Sequence, residues 1–262
     1  MHDVPNKEIR RVIVDIVQDS GAAHIGSALS MVEIGNAIYK SIDLGKIRAN
    51  APDRDRIILS KGHATAGLYA VLHHHGLLTD AEIRTYFKNG TLLAGHTSHH
   101  VPHVEHSTGA LGHGFPVALG MAIGLRTKKS SARVFVIVGD GELHEGSNWE
   151  AIMLAGHLKL GTLMVFVDQN HLSQFGTVDD CCDVDPIRAK FESFKWRVAE
   201  VDGHDERAIM RAIEEAHDVI QPTAVICRTV KGKGISFMEH NNIWHYRAPQ
   251  GEDYEKAKAE LA

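Results

Sequence analysis

The chain has 262 residues, of which 44% are hydrophobic and 23% charged, with a formal net charge of −5. That mixture suits a soluble globular protein with one sizeable core, excludes a fibrous or disordered chain, and argues against nucleic acid as the main partner. Three cysteines, two of them adjacent at Cys181 and Cys182, form neither a disulfide framework nor a zinc spacing, and the adjacent pair is expected to pack or face solvent.

Element by element, the apolar stripe Ile9, Val12, Ile13, Ile16 and Val17 predicts a first helix capped by Asn6. Ser30 and Glu33 read as a capping box for a second helix through Ile38, and Thr79 with Glu82 as another. Arg56 to Leu59 is a short buried run ending at Ser60-Lys61-Gly62-His63, and the stretch from Ala64 to His75 has helical character. The segment from Thr91 to Gly114 has no periodicity and holds six histidines, His96, His99, His100, His103, His106 and His113. Long aperiodic segments of this kind are usually functional.

An apolar run from Val134 to Val138 ends in Gly139-Asp140-Gly141, and a second from Leu163 to Val167 ends in Asp168-Gln169-Asn170, with a helical stretch between them. Two parallel strands joined by a crossover helix bring both polar ends to the sheet edge where open α/β sheets bind ligands. Asp140 and Asn170 then converge as two oxygen ligands for a hard cation, Mg²⁺ or Ca²⁺. Gly141 leaves room for a phosphate to reach the backbone. The competing reading is a plain turn at Gly139-Asp140-Gly141 and a loop cap at Asn170.

Further on, Asp185-Pro186 starts a helix with Ile187, Phe191 and Phe194 inward, and Arg197 to Val201 reads as a strand. Asp205 caps a helix whose face is Ala208, Ile209, Ala212, Ile213 and Ala216. Thr223 to Thr229 is a final strand, followed by Lys231-Gly232-Lys233-Gly234 and a polar tail with Trp244 and His245. Alternating strands and helices predict a three-layer α/β/α fold with a mainly parallel sheet. No repeat or linker interrupts residues 1–262, so a single domain is expected. No apolar run reaches membrane-spanning length and the charged N-terminus lacks a signal-peptide core, so the expected setting is the cytoplasm.

The run GDGELHEGSNWEA followed by VDQN resembles the thiamine-diphosphate signature of the transketolase family. His24-Ile25-Gly26-Ser27 resembles the family's His-Pro-Gly, Asp53-Arg54-Asp55-Arg56 with Ser60-Lys61-Gly62-His63 its DRDR and S-(N/K)-G-H element, and Ala94-Gly95-His96 its Gly-His-Pro loop. The turn from Ser107 to Gly112, Val201-Asp202-Gly203-His204-Asp205, Lys231-Gly232-Lys233-Gly234 and Trp244-His245 fall in the same order, so the resemblance spans about residues 8–250. It implies the thiamine-diphosphate-binding fold and, because a complete transketolase is more than twice as long, the diphosphate-binding half of a split enzyme. The implied partner is a C-terminal transketolase subunit carrying the pyrimidine-binding half, in an α₂β₂ heterotetramer.

By the same resemblance, Asp140, Asn170 and the Leu172 carbonyl ligate the metal, while Gly139, Gly141 and Glu142 belong to the diphosphate-binding turn. His63 and His245 bond the diphosphate or the donor sugar, and Gly109 and Leu111 contact the cofactor rings. His24, His63, His96 and His245 line the substrate channel, where a side chain titrating near neutrality can give or take a sugar proton. Glu145 points toward the partner's activating glutamate. The implied reaction is transfer of a two-carbon ketol unit from a ketose, phosphorylated or otherwise acidic, to an aldose.

Ile25 in place of proline, His144 in place of glutamine, and Gln174-Phe175 depart from the family pattern and leave room for a specialised donor. Alternatives are a 1-deoxyxylulose-phosphate-synthase-like enzyme, a 2-oxo-acid dehydrogenase component, a non-catalytic cofactor-binding subunit, and a zinc hydrolase built on the His96 to His106 segment.

Overall fold

The computed structural model describes residues 4–262. The N-terminal third is helical, with α1 (Val4–Ser20), α2 (Ile25–Ser30), α3 (Val32–Lys40) and α4 (Leu44–Arg48) preceding the first strand, β1 (Arg56–Leu59). Next come α5 (Thr65–His74), α6 (Asp80–Ile83), the long irregular segment, and α7 (Gly114–Thr127). The central unit is β2 (Val134–Gly139), α8 (Gly146–Leu158) and β3 (Leu163–Gln169). The remainder holds α9 (Val178–Cys182), α10 (Ile187–Ser193), β4 (Arg197–Asp202), α11 (Glu206–Glu215), β5 (Thr223–Arg228) and α12 (Glu252–Glu260).

All neighbouring strands pair in parallel, in the order β1-β2-β3-β5-β4. The period-two rule sorts their side chains into two cores. Phe135, Ile137, Met164, Phe166, Val225 and Cys227 pack with α1, α3, α5 and α11 on one face. Val134, Val136, Val138, Val165, Val167 and Ile226 pack with α7, α8 and α10 on the other. The central strands are therefore apolar from Val134 to Val138 and from Leu163 to Val167, as a sheet covered on both faces requires.

Register sets the site. Gly139 lies opposite Asp168, and Asp168 opposite Cys227, so β2, β3 and β5 reach their carboxyl ends side by side. Asp168 is wholly buried beneath that edge, where it pairs with Lys61 and accepts from Ser30 Oγ at 2.5 Å and from the Thr229 hydroxyl. An unpaired buried carboxylate would be prohibitive, and this one has a cation and two hydroxyls.

Two expected caps are replaced by tertiary partners. Asn6 lies inside α1, where its buried amide oxygen accepts from Asn36 Nδ2 at 2.8 Å. Ser30 closes α2, and Glu33 forms a two-pronged ion pair with Arg10 (2.7 and 2.8 Å) and accepts from His204 Nδ1 at 2.9 Å. Both polar pairs have cap spacing, but burial gives each a stronger partner elsewhere in the chain. The Thr79–Glu82 capping box and the Asp205 cap form as expected. Among the described residues no helix is long and apolar enough to cross a membrane.

Candidate active site

A cavity of about 410 Å³ opens at the carboxyl ends of β2 and β3. It is lined by His24, His63, His96, Gly109, Leu111, Gly139, Asp140, Gly141, Glu142, Glu145, Asn170, Leu172 and His245. Every site residue named from the sequence therefore borders one space, of a size that holds a small organic cofactor.

Asp140 and Asn170 follow the ends of adjacent strands and are 2% and 5% exposed. The Asp140 carboxylate accepts from Gly141 N (2.9 Å) and His171 N (2.6 Å), and Asn170 Oδ1 accepts from Leu172 N (3.1 Å). His171 occupies the left-handed region (φ 63°), which folds the chain sharply between Asn170 and Leu172. Burial first, and then the nearby Asp168 carboxylate, push Asp140 up to about 6. A carboxylate so placed gains from a positive charge, and carboxylate, amide and carbonyl oxygens are the donors a hard divalent cation takes. The residues present fit Mg²⁺ or Ca²⁺. The Leu172 carbonyl also accepts from Lys231 Nζ at 3.2 Å, so a cation there would share its lone pairs with an ammonium.

Glu142 borders the cavity too, but its oxygens already accept from Ser60 Oγ (2.6 Å), Gly112 N (3.1 Å) and Gly139 N (3.3 Å). It ties the ends of β1 and β2 to the 108–112 turn. That turn presses against Gly62, where an added Cβ would lie 2.5–2.6 Å from backbone atoms of Thr108 and Gly109. Gly109 (φ 152°) in turn lies against the His96 ring, which its own Cβ would meet at 3.0 Å. Glu145 is exposed at the start of α8, on the open side of the cavity.

The four histidines converge. The His24 ring centroid lies 5.2 Å from His63, 5.7 Å from His96 and 5.0 Å from His245, and His63 lies 5.8 Å from His245. His24 adopts a left-handed backbone (φ 70°), held by its N–H donating to His245 O at 2.7 Å. Burial, helped by His96 and Lys231, lowers His24 to about 4, and burial with Lys231 lowers His245 to about 3. His63 is held well below its ordinary value by burial and by Lys61. These three are neutral imidazoles at physiological pH.

Several lining residues carry no role in the sequence reading: Ser27, Lys61, Ser173, Cys181 and Lys231. Lys61 and Lys231 belong to recognised motifs, so the signal was present without a role. Lys231 is 1% exposed, and burial followed by Lys61 lowers it to about 8. Cys181 does face solvent, but at the cavity edge, 3.2 Å from Ser173 Oγ. Among the described residues the only metal-competent cluster of histidines, cysteines or carboxylates is the exposed trio Asp179, Asp183 and Asp185, so the zinc reading of the His96 to His106 segment finds no convergence there.

Comparison with known proteins agrees with this geometry. Residues 2–261 match the family model described as transketolase, thiamine diphosphate binding domain. The chain is 40% identical over 258 residues to one of the subunits of the apulose-4-phosphate transketolase of Actinobacillus succinogenes, covering 97% of this chain and 94% of that one. It is 33% identical over 256 residues to the 6-deoxy-6-sulfo-D-fructose transketolase subunit SqwG of Clostridium sp., covering 97% and 93%. A crystal structure of Pichia stipitis transketolase in complex with xylulose 5-phosphate superposes with a TM-score of 0.89 at 30% identity, covering 98% of this chain. The chain spans 40% of the length of that solved transketolase. A signature turn on β2, a matching asparagine after β3 and a full-length match together place the chain in the transketolase family, as its thiamine-diphosphate-binding part.

Proposed function

We propose that this chain is the N-terminal, diphosphate-binding subunit of a split transketolase, active with a C-terminal subunit in a cytoplasmic α₂β₂ heterotetramer. The observation that carries the reading is the meeting of Asp140, Asn170 and four histidines around one cavity. Near-complete coverage of two relatives named as transketolase subunits supports the split arrangement. One sheet bearing both hydrophobic cores supports reading residues 1–262 as one domain.

Thiamine diphosphate, when bound, supplies the nucleophilic carbon that attacks a ketose carbonyl and accepts its two-carbon unit. Asp140, Asn170 and Leu172 O would hold the divalent cation that anchors the diphosphate, and Gly141, whose N–H bonds the Asp140 carboxylate, borders the cavity without a side chain. Lys61 and Lys231 add positive charge to the same wall. His24, His63 and His96 stand where sugar hydroxyls enter, able to exchange protons with them. Gly109 and Leu111 give the cofactor rings an apolar seat. Glu145 faces outward, toward the subunit that completes the site. The substrate is a ketose with an acidic group, and the relatives' names favour a specialised sugar over a common pentose phosphate.

The test is calorimetry with thiamine diphosphate and Mg²⁺ in the presence of the partner, followed by assay of ketol transfer against pyruvate decarboxylation. Heat of binding with ketol transfer is the expected result. Decarboxylation without transfer would favour the 2-oxo-acid or deoxyxylulose-phosphate class, and no heat at millimolar ligand would favour a non-catalytic subunit.

A further inference from the structure

We propose that Lys231 is a positioning residue that fixes the proton of His245 on Nε2, so that His245 meets its ligand as a hydrogen-bond donor and not as a base. The inference deepens the transketolase reading and rests on it only for the identity of that ligand.

The Lys231 ammonium is buried at the junction of three segments. It lies 3.0 Å from His245 Nδ1, 3.2 Å from Leu172 O, 2.9 Å from Ser173 O and 3.2 Å from Asn242 Oδ1. An ammonium carries three protons and no lone pair, so every atom it bonds must accept. His245 Nδ1 therefore presents its lone pair. A neutral imidazole with a bare Nδ1 holds its single hydrogen on Nε2. The other tautomer would point an N–H at an ammonium 3.0 Å away in a buried pocket, a repulsive contact that leaves the ring N–H without an acceptor. The ammonium keeps Leu172 O, Ser173 O and Asn242 Oδ1.

The charged ring is disfavoured as well. His245 is surrounded by the rings of His24 (5.0 Å), His63 (5.8 Å) and Tyr246 (4.8 Å), with the Lys231 and Lys61 ammonium groups behind. Among the described residues no carboxylate is one of the groups that act on it. Lys231 is held in turn. Gly232 N donates to Gly26 O at 3.0 Å, and a Cβ on Gly26 would stand 3.2 Å from Lys231 Cγ, so the lysine stem lies tight against α2.

This separates His245 from its neighbours. Among the described residues the ring nitrogens of His24, His63 and His96 have no hydrogen-bond partner, which leaves both tautomers open to them. A fixed Nε2–H matches an oxygen that brings only lone pairs, such as a phosphate or carbonyl oxygen. A sugar hydroxyl, which both gives and takes, matches an imidazole free to change tautomer. The geometry thus assigns His245 to the anionic or carbonyl part of the ligand and leaves hydroxyl protons to the others.

The test is a long-range proton–nitrogen NMR correlation on the isolated chain labelled with ¹⁵N-histidine, with His245 assigned through His245→Gln. The expected spectrum at neutral pH has a protonated Nε2 and a bare Nδ1, unchanged on acidification to about pH 5. In Lys231→Met the tautomer preference should disappear and the ring should titrate at higher pH, whereas Lys231→Arg, which also only donates, should keep the wild-type pattern. A proton on Nδ1 in the wild type, or an unchanged pattern in Lys231→Met, overturns the proposal. Should Lys231→Met fail to fold, the wild-type and Lys231→Arg spectra decide alone, and loss of the pattern in the arginine variant counts against it. Because no cofactor, sugar or partner is present, a failed ketol-transfer assay would sink the transketolase reading without touching this result.

Discussion

Replacing Asp140 with asparagine should make the cation-free chain more stable while removing its ability to bind the cofactor. The Asp140 carboxyl is 2% exposed and is raised from 3.8 to about 6 by burial and by the Asp168 carboxylate. A difference of that size corresponds to about 3 kcal/mol of strain in the ionised form. Asparagine removes that charge but keeps one acceptor for the two N–H groups of Gly141 and His171, and losing the second bond costs about 1 kcal/mol. The net gain is therefore about 1–2 kcal/mol. At roughly 2–4 °C per kcal/mol, the Tm of the chelator-treated variant should rise by about 2–8 °C. The pH dependence has a definite sign. A carboxyl raised in the folded state carries no penalty below its unfolded value of 3.8 and the whole penalty above about 6. The advantage of the variant should thus grow through pH 6 and then level off, while below about pH 4 only the lost bond remains and the variant is the less stable by about 1 kcal/mol. Calorimetric melting across that range measures it. Thiamine diphosphate with Mg²⁺ should raise the wild-type Tm and leave the variant's unmoved. A variant at least about 1 kcal/mol less stable than wild type in chelator, with no pH trend, would refute the reasoning.

Other substitutions probe the scaffold and the channel. Arg10→Met leaves Glu33, 2% exposed, with His204 as its one remaining side-chain partner, and should cost about 3–5 kcal/mol in urea unfolding. Gly62→Ala forces a methyl group to within 2.5 Å of the Thr108 backbone and should cost about 1–3 kcal/mol. Because the displaced turn carries Gly109 and Leu111, cofactor affinity measured by titration should also fall by roughly tenfold, equivalent to about 1.4 kcal/mol. His96→Ala should lower kcat with the partner present by about a hundredfold or more and leave cofactor affinity nearly unchanged; equal losses in both would argue against a substrate role. Asp53→Asn breaks an exposed, solvent-screened pair with Lys46 and should leave the Tm unchanged within error.

Much of this molecule was legible in the chain itself. Strands buried on both faces must be apolar throughout, so Val134 to Val138 and Leu163 to Val167 declare a parallel sheet by composition alone. Parallel pairing then obliges Asp140 and Asn170 to share an edge, because the crossover through α8 returns the chain to the same end of the sheet. The caps at Thr79 and Asp205 were also readable, since each is a contest between neighbours a few residues apart. What local pattern could not decide was which of several partners a polar group takes. Asn6, Ser30 and Glu33 have cap chemistry, yet they bond Asn36, Asp168, and Arg10 with His204, because groups buried far apart in sequence must satisfy one another. The same holds at the site. Four histidines spread between residues 24 and 245 become one cluster only when the C-terminal segment folds back onto α2. That fold, closed by the His24 N to His245 O bond, also brings Lys231 to the ring it polarises. Local spacing set the elements, and long-range burial chose their polar partners.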